Sequence, residues 1–449
     1  MKFELENYGP VRKATLELGD LTIICGRNNT GKTCIAYAIY DFIKSLPGKI
    51  SFNKVKVFNF SDQDSCSFDL NRLLPHVLES IQNACESFAK KYMQGATFAL
   101  KEVAFETSFN MIKDEIWRMQ ETPFIVNKEQ NIISIRRKEP LIEQAASMVQ
   151  ETPSGVSIET FARSFAKMCF VSPRFQPKLF GNFFAITTER TGVSVFRKII
   201  NIGNLKIVQG LQEGIQGKTS PSRYTITADD SYSEAVQDNL EYVNKLEDIC
   251  KRKSFLMHKQ YSHIQDLLQE LVCGTFEILP NDVINFVPKA GNDLKLSMKK
   301  SSSSVRALLL LDCYLRYTAN KGDTLLIDEP ELNLHPESQR KLARLLAMLV
   351  NAGLKVFITT HSDYFIREFN TLIQLHRDKP HLREIQEKEG YVYQELLSAK
   401  RVSAYSAVQE QDGITFQKAP VSQESGISID SLDEVINKMN EIQDAIIWG

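Results

Sequence analysis

One eight-residue stretch constrains this chain more than any other: Gly26-Arg27-Asn28-Asn29-Thr30-Gly31-Lys32-Thr33, which fits the pattern G-x-x-x-x-G-K-[ST]. The apolar run Leu21–Cys25 before it predicts a short buried strand, and Cys34–Tyr40 after it has apolar side chains at helical spacing. In a strand–loop–helix context this pattern places backbone N–H groups and a helix N-terminus around a polyphosphate. The sequence therefore predicts an ATP site.

The residues of this loop have predicted roles in that site. Lys32 is expected to reach the β- and γ-phosphate oxygens, and the Thr33 hydroxyl is expected to bind Mg²⁺. The predicted cofactors are therefore ATP and Mg²⁺. The residues predicted to contact the nucleotide are Gly26, Arg27, Asn28, Asn29, Thr30, Gly31, Lys32, Thr33 and Cys34.

A pair of carboxylates follows a predicted strand far along the chain. The apolar run Thr324–Ile327 leads directly into Asp328 and Glu329. A carboxylate at the end of such a strand can hold Mg²⁺ beside Thr33, and the next one can orient and polarise an attacking water. The same two acids could instead cap a helix and interact with its first turn. The hydrolytic interpretation predicts Asp328 as a metal ligand and Glu329 as the catalytic base.

A histidine and a run of serines extend the predicted site. His361 lies just beyond the predicted strand Leu354–Ile358, at the sheet edge where ligands bind in open α/β folds. It is predicted to sense the γ-phosphate, and it joins Lys32 and Glu329 as a predicted catalytic residue. Upstream, Ser301-Ser302-Ser303-Ser304 opens a predicted helix, Ala307–Tyr317. These serines form an anion site or, alternatively, a capping box or a flexible linker.

Composition limits the class of protein. At 449 residues the chain predicts one large domain with insertions or two domains. Its 54 Lys and Arg residues nearly balance its 55 Asp and Glu residues, so the net charge indicates neither nucleic acid nor an anionic membrane as a partner. The composition does leave open a local basic groove.

No apolar run approaches the roughly 20 residues that cross a bilayer, and Met1–Glu6 is unlike a signal peptide. The 8 cysteines form no C-x-x-C pair, which argues against a zinc site or a disulfide framework. We therefore expect a cytoplasmic protein with no membrane partner.

The order of the predicted elements indicates an α/β fold. Strand Thr324–Ile327, helix Pro336–Val350 and strand Leu354–Ile358 form a β–α–β unit, which predicts a parallel sheet. Further strands are predicted at Met168–Val171 and Phe183–Ile186. The predicted organisation is an ATPase core in residues 1–60, 166–210 and 273–375, helical insertions in residues 61–165 and 211–272, and a C-terminal extension in residues 376–449.

The second insertion contains a long helical pattern, Ser231–Leu271, interrupted near Lys251-Arg252-Lys253. It predicts a packed amphipathic helix with a solvated face, or a helical hairpin that offers a docking surface.

These elements, in this order, resemble the ATP-binding-cassette (ABC) class of ATPases. Glu6-Asn7-Tyr8-Gly9-Pro10, followed by the phosphate loop, is similar to the opening of the RecF and SMC-type branch. Ile327–Pro336 and Thr359–Asp363, with Thr188–Gly192, resemble the overcoming-lysogenisation-defect (OLD)-like AAA-type ATPases of bacterial antiphage modules such as Septu and PARIS. The resemblance covers residues 1–60, 183–200 and 275–370. It implies an α/β ABC-type fold: a mixed sheet with a phosphate-loop core, antiparallel flanking strands and helical insertions.

The resemblance also implies that two copies share each ATP site. In this class the serines of one protomer complete the site of the other, so Ser302, Ser303 and Ser304 would cap the γ-phosphate bound in a second copy. The family has glycine where this chain has Ser304, which leaves the contacting serine open. Other positions implied by the resemblance are Glu331, Asn333 and His335 along the dimer seam, and Gln176, or the region of Glu189 and Arg190, as the contact to magnesium.

The same resemblance implies a partner. OLD-family nucleases carry a metal-binding toprim domain with a D-x-D cluster, but no two aspartates beyond His361 have that spacing, and the histidines there do not resemble an H-N-H nuclease. The leading interpretation is a homodimer or higher homo-oligomer that controls a separate effector, a nuclease or a toxin. The alternatives are a RecF/SMC-like ATPase of DNA repair or chromosome maintenance that binds DNA, a transporter subunit, and an ATP-gated scaffold with little turnover.

Overall fold

The computed structural model describes residues 1–52, 55–61, 65–92, 95–101, 124–129, 132–137, 157–171, 182–195, 233–280, 283–290 and 294–448. The strands are β1 Lys2–Tyr8, β2 Val11–Glu17, β3 Leu21–Cys25, β4 Asn59–Phe60, β5 Ser65–Asp69, β6 Thr97–Lys101, β7 Phe124–Glu129, β8 Ile132–Arg137, β9 Phe183–Ile186, β10 Gly274–Leu279, β11 Val283–Pro288, β12 Leu296–Ser297, β13 Thr324–Asp328, β14 Lys355–Thr360, β15 Val402–Glu410, β16 Gly413–Ala419, β17 Val421–Ser422 and β18 Gly426–Ile427. The helices are α1 Lys32–Lys49, α2 Leu70–Tyr92, α3 Ile158–Val171, α4 Glu234–Asn244, α5 Leu246–Ile249, α6 Ser262–Val272, α7 Ser303–Cys313, α8 Pro336–Ala352, α9 Asp363–Leu375, α10 Pro380–Glu389 and α11 Asp430–Trp448.

The chain divides into two compact units, the first of residues 1–8 and 42–182 and the second of residues 9–41 and 183–449. In the first unit β1 pairs with β6, and β4, β5, β8 and β7 form an antiparallel sheet in that order. Phe68, Ile133 and Ile135 alternate with partly exposed neighbours and are buried beneath this sheet. The period of two in these runs is the signature of a half-buried strand.

One strand prediction for the first unit is wrong, and four strands were not predicted. The described part of residues 61–165 contains α2 and the first half of α3, as the helical prediction expects, but it also contains β5, β6, β7 and β8. Met168–Val171 is predicted to be a strand but forms the end of α3. A short apolar run fits a strand or a helical segment equally well, and here the helix that buries Ile158, Ala162 and Phe165 extends through it.

The second unit is built on a mixed sheet, as predicted. Its described strands lie in the order β2, β16, β15, β3, β14, β13 and β9. Strands β3, β14, β13 and β9 are parallel, and β15 is parallel to β3 and antiparallel to β16. Every residue of β3 and of β13 is buried, as expected for strands covered on both faces. The predicted β13–α8–β14 unit is confirmed.

The segment from residue 376 onward contributes more to this sheet than its sequence indicates. Strands β15 and β16 lie between β2 and β3, in the middle of the sheet. Their buried positions include Ala404, Ala407 and Ala419, and such small side chains give a weak hydrophobic pattern in a polar segment. The sequence consequently predicted an extension and missed both strands.

The helical pattern at Ser231–Leu271 is interrupted, as predicted. Within the described residues α4 and α5 end at Ile249, two 3₁₀ turns occupy Phe255–Met257 and Lys259–Tyr261, and α6 follows. Strands β10 and β11 follow α6 and pair antiparallel. Among the described helices none is long and apolar enough to cross a bilayer.

Candidate functional site

The phosphate loop connects β3 to α1, and its glycines are required by close backbone approach. At Gly31, where φ is +76°, a Cβ would lie 2.6 Å from Val11 Cγ2, and at Gly26 a Cβ would lie 2.8 Å from Ala407 Cβ. The Thr30 hydroxyl donates to the Arg27 carbonyl at 2.8 Å and braces the turn. A side chain at either glycine would push the loop away from the strands that support it.

A cavity of about 690 Å³ lies over this loop. That volume is in the range of sites that hold small ligands and cofactors. The sequence-predicted contacts Gly26 and Arg27 do not line it; their carbonyls face the lysine instead. The lining residues are Pro10, Asn28, Asn29, Thr30, Gly31, Lys32, Thr33, Cys34 and Glu329.

Lys32 is held inside the loop. Its Nζ donates to the carbonyls of Gly26 at 2.9 Å and Arg27 at 2.8 Å, and the residue is 4% exposed. Burial lowers the pKa of Lys32, and the nearby carboxylates of Glu329 and Asp328 oppose that shift. A cation placed in this way can exchange carbonyl oxygens for phosphate oxygens with little movement.

Asp328 and Thr33 come together as the sequence predicts. The Thr33 hydroxyl donates to Oδ1 of Asp328 at 3.1 Å, and the Thr359 hydroxyl donates to the same oxygen. Asp328 is fully buried, its burial raises the pKa of its carboxyl, and its Oδ2 has no hydrogen-bond partner among the described residues. An orphaned carboxylate oxygen beside a hydroxyl suits Mg²⁺, which prefers few protein oxygens and completes its shell with water and phosphate. These two residues fit a magnesium ion.

Glu329 has a strained backbone that its neighbours hold in place. Its φ is +47°, in the left-handed region that a non-glycine residue occupies only when its surroundings impose it. Its N–H donates to the Thr359 carbonyl at 3.1 Å, and its carbonyl accepts from Nη2 of Arg190 at 2.6 Å. Its side chain lines the cavity, which is the position that a base acting on water requires.

Arg190 is a residue whose role the sequence did not reveal. The sequence placed Glu189 and Arg190 near a contact to magnesium, whereas the Arg190 guanidinium binds main-chain carbonyls. Its Nη1 donates to Thr187 at 3.0 Å and Asp328 at 2.9 Å, and the residue is 2% exposed. Burial lowers the pKa of Arg190, and Asp328 and Glu331 oppose that shift. Arg190 therefore fixes the backbone from which both carboxylates extend.

His361 lies beside the two glutamates of this segment. Its Nδ1 is 3.5 Å from Oε1 of Glu329 and 3.2 Å from Oε1 of Glu331, and its side chain is 43% exposed. The structure thus brings His361 to Glu329 as the sequence predicts. Among the described cavity-lining residues His361 itself does not appear.

The serines lie elsewhere in the protomer. Ser302 caps α7, since its Oγ accepts from the Val305 N–H at 3.3 Å, and it lies 2.9 Å from Oγ of Ser304. Ser302 and Ser303 are exposed, and none of these serines lines the cavity over the phosphate loop. Ser302 therefore acts as the N-cap of α7, and the predicted role of these serines as an anion site stays a prediction.

The other positions implied by the resemblance differ in their exposure to solvent. Asn333 and His335 are exposed, and Nδ1 of His335 caps α8, whereas Glu331 is buried and hydrogen-bonded inside its own protomer. The place of these three residues along a dimer seam stays a prediction. Gln176 lies outside the described residues.

Comparison with known proteins places the chain in a family. The sequence profile of the AAA ATPase domain matches residues 1–154 and 197–366. The solved structures that are similar to the chain include three SMC head domains. One is an SMC head bound to the C-winged helix domain of ScpA, with a TM-score of 0.37 at 12% identity over 94% of this chain and 98% of that one. A second is the SMC head domain from Thermotoga maritima, with a TM-score of 0.32 at 11% identity over 94% of this chain and 98% of that one. A third is the Pyrococcus furiosus SMC head bound to the C-terminal domain of ScpA, with a TM-score of 0.31 at 10% identity over 98% of each chain.

Curated protein sequences give no match. The family profile, in contrast, matches well over half of the residues and includes the phosphate loop, Asp328 and Glu329. The chain belongs to the AAA ATPase domain family and is an ATP-hydrolysing enzyme.

Proposed function

We propose that two copies of this chain close on two ATP molecules and that hydrolysis opens them again. The observation that carries the proposal is that the residues lining the cavity surround the phosphate loop on one side only. Every described residue that lines the cavity comes from the phosphate loop and its surroundings or is Glu329, while Ser302 and Ser303 stand exposed at the start of α7. A helix N-terminus with exposed hydroxyls is a ready anion site, and a second copy can bring it to the open side of the γ-phosphate.

Within each site the residues have distinct tasks. Lys32 and the loop N–H groups hold the phosphates, and Thr33 and Asp328 would hold a magnesium ion, which would supply charge neutralisation for the phosphates. Glu329 orients a water molecule and takes its proton as the water oxygen bonds to the γ-phosphorus and the bond to the β–γ bridging oxygen breaks. The products are ADP and inorganic phosphate. His361 contacts the γ-phosphate.

Closure then depends on the γ-phosphate because that group bridges two protomers. Loss of the γ-phosphate removes the contact between the serines of one copy and the ATP site of the other. The bound nucleotide then no longer stabilises the closed state relative to the open state. Such a device can control a second protein. We propose that this protein is a separate effector, a nuclease or toxin, in antiphage defence. The support is the resemblance of the Ile327–Pro336 and Thr359–Asp363 segments to ATPases of antiphage modules.

The test is the molar mass of the Glu329→Gln variant with and without ATP and Mg²⁺, measured by light scattering after size exclusion. The amide cannot take the proton, so the closed form should accumulate and the mass should double with ATP but not with ADP. Lys32→Ala in the same background should abolish the change, and Glu387→Gln, an exposed glutamate on α10, should behave like the wild type. A mass that is the same with ATP, with ADP and without nucleotide contradicts closure.

The identity of the controlled partner needs a second measurement. Purification of the Glu329→Gln variant from its native host, with ATP present, should retain the effector, and mass spectrometry identifies it. Recovery of DNA without protein would instead support a role in DNA maintenance.

A further inference from the structure

One buried carboxylate near the site lacks a role in the reaction described above. Glu331 follows the metal ligand Asp328 by three positions, and its side chain is 5% exposed. It does not line the cavity over the phosphate loop. Its Oε2 has no hydrogen-bond partner among the described residues, while its Oε1 is crowded with donors.

Those donors all belong to the turn that carries His361. Oε1 of Glu331 accepts from the Thr360 hydroxyl at 2.8 Å and from the His361 N–H at 2.8 Å. The Thr360 hydroxyl accepts in turn from the Ser362 N–H at 3.0 Å. A single carboxylate oxygen therefore fixes the backbone between the end of β14 and the start of α9.

The same oxygen also fixes the ring. Nδ1 of His361 lies 3.2 Å from it, within reach of an N–H donor. The ring is 43% exposed, so packing alone does not restrict its rotation. When Nδ1–H donates to a carboxylate, Nε2 is the ring nitrogen that remains available to contact another group. Carboxylates orient functional histidines in other proteins in the same way.

Stability alone is a poor explanation for Glu331. Burial raises the pKa of Glu331, and the donors from His361 and Thr360 oppose that shift. A buried carboxylate with one unsatisfied oxygen costs desolvation energy, and apolar side chains of similar volume often serve a purely structural position as well or better.

We infer that Glu331 is a positioning residue that holds the His361 ring beside Glu329 with Nε2 directed to the nucleotide. This inference rests on the proposed role of His361 at the γ-phosphate. Glu331 acts through His361 and touches no reacting atom. Its effect on turnover should therefore disappear when His361 is absent.

A double-mutant cycle tests this dependence. Glu331→Met keeps the volume and removes the acceptor, whereas Glu331→Gln keeps an acceptor oxygen. We expect Glu331→Met to lower kcat about 10-fold or more with the ATP Kd unchanged, and Glu331→Gln to retain most of the turnover. In a His361→Ala background Glu331→Met should cause no further loss, because interacting residues are non-additive. Thermal melting of each variant establishes that it is folded.

A matched control is Glu395→Met, which removes another buried carboxylate. Oε1 of Glu395 lies 2.9 Å from Nε of Arg344. It should lower the melting temperature without the kcat loss of Glu331→Met. Multiplicative losses in the double variant, or a His361→Ala variant with wild-type turnover, would overturn the inference. The proposed closure is judged separately by the mass of Glu329→Gln with ATP, so the two ideas can fail independently.

Discussion

The Thr33 hydroxyl donates a hydrogen bond of 3.1 Å to Oδ1 of Asp328, across a sequence separation of 295 residues. The contact exists because β3 and β13 both end at the same edge of the parallel sheet, on either side of β14. The first residues of α1 and the last residue of β13 therefore meet at this edge, where Thr33 and Asp328 would hold a magnesium ion.

Asp328 should set the magnesium requirement. In Asp328→Asn the neutral amide oxygen is a weaker ligand for a hard cation, so the Mg²⁺ concentration for half-maximal turnover should rise about 10-fold or more. The fold should survive, because the change removes a buried charge. The measurement is an ATPase assay over a magnesium titration, with EDTA as the zero point. An unchanged titration curve would show that another residue holds the metal.

Lys32 should carry much of the nucleotide affinity. Lys32→Ala removes a buried cation that would exchange the loop carbonyls for phosphate oxygens, and a charge-assisted hydrogen bond contributes about 1.5–3 kcal/mol, so the ATP Kd should rise about 10- to 150-fold. Calorimetric titration measures the change. Lys388→Ala, an exposed lysine on α10, is the control and should leave the Kd unaltered. Equal affinities for the two variants would refute the assignment of the phosphate site.

Arg190 should matter for turnover more than for binding. Lysine cannot hold the carbonyls of Asp328 and Glu329 together as the planar guanidinium does, so Arg190→Lys should let the strained Glu329 backbone relax. We expect kcat to fall about 10-fold or more, because misplacing a catalytic group is costly, with the ATP Kd nearly unchanged. Arg252→Lys, on the exposed surface, is the matched control. A raised Kd with normal kcat would mean that Arg190 serves binding.

Thiol labelling should report the geometry around the loop. Burial raises the pKa of Cys25 to about 12, so its reactive thiolate is scarce at pH 7.5 and still scarce at pH 9. Cys273 is exposed, and Cys34 lines the cavity. Maleimide should therefore label Cys273 first and leave Cys25 intact, and ATP should slow labelling of Cys34. Peptide mass mapping measures this order; rapid labelling of Cys25 would place it at the surface.

The sequence predicts correctly the position of residues that lie at the end of a buried strand. The phosphate loop, Asp328, Glu329 and His361 each follow a strongly apolar run, so the sheet topology brings them together once the strands are parallel. It failed for β15, β16 and α3 because weak or short apolar patterns do not decide between strand and helix. It also missed the tasks of Arg190 and Glu331, since main-chain carbonyls and turn N–H groups leave no pattern in a sequence.

The most direct test of the shared site mixes two inactive variants. Lys32→Ala lacks a working loop, and Ser302→Ala/Ser303→Ala lacks the serines, so neither should hydrolyse ATP efficiently alone. In a mixed dimer the intact loop of one copy faces the intact serines of the other, which restores one site. At equal concentrations we predict about a quarter of the wild-type turnover per chain. Half of the dimers are then mixed, and in each mixed dimer one of the two sites is complete. Turnover that stays at the sum of the separate variants would contradict a site built from two copies.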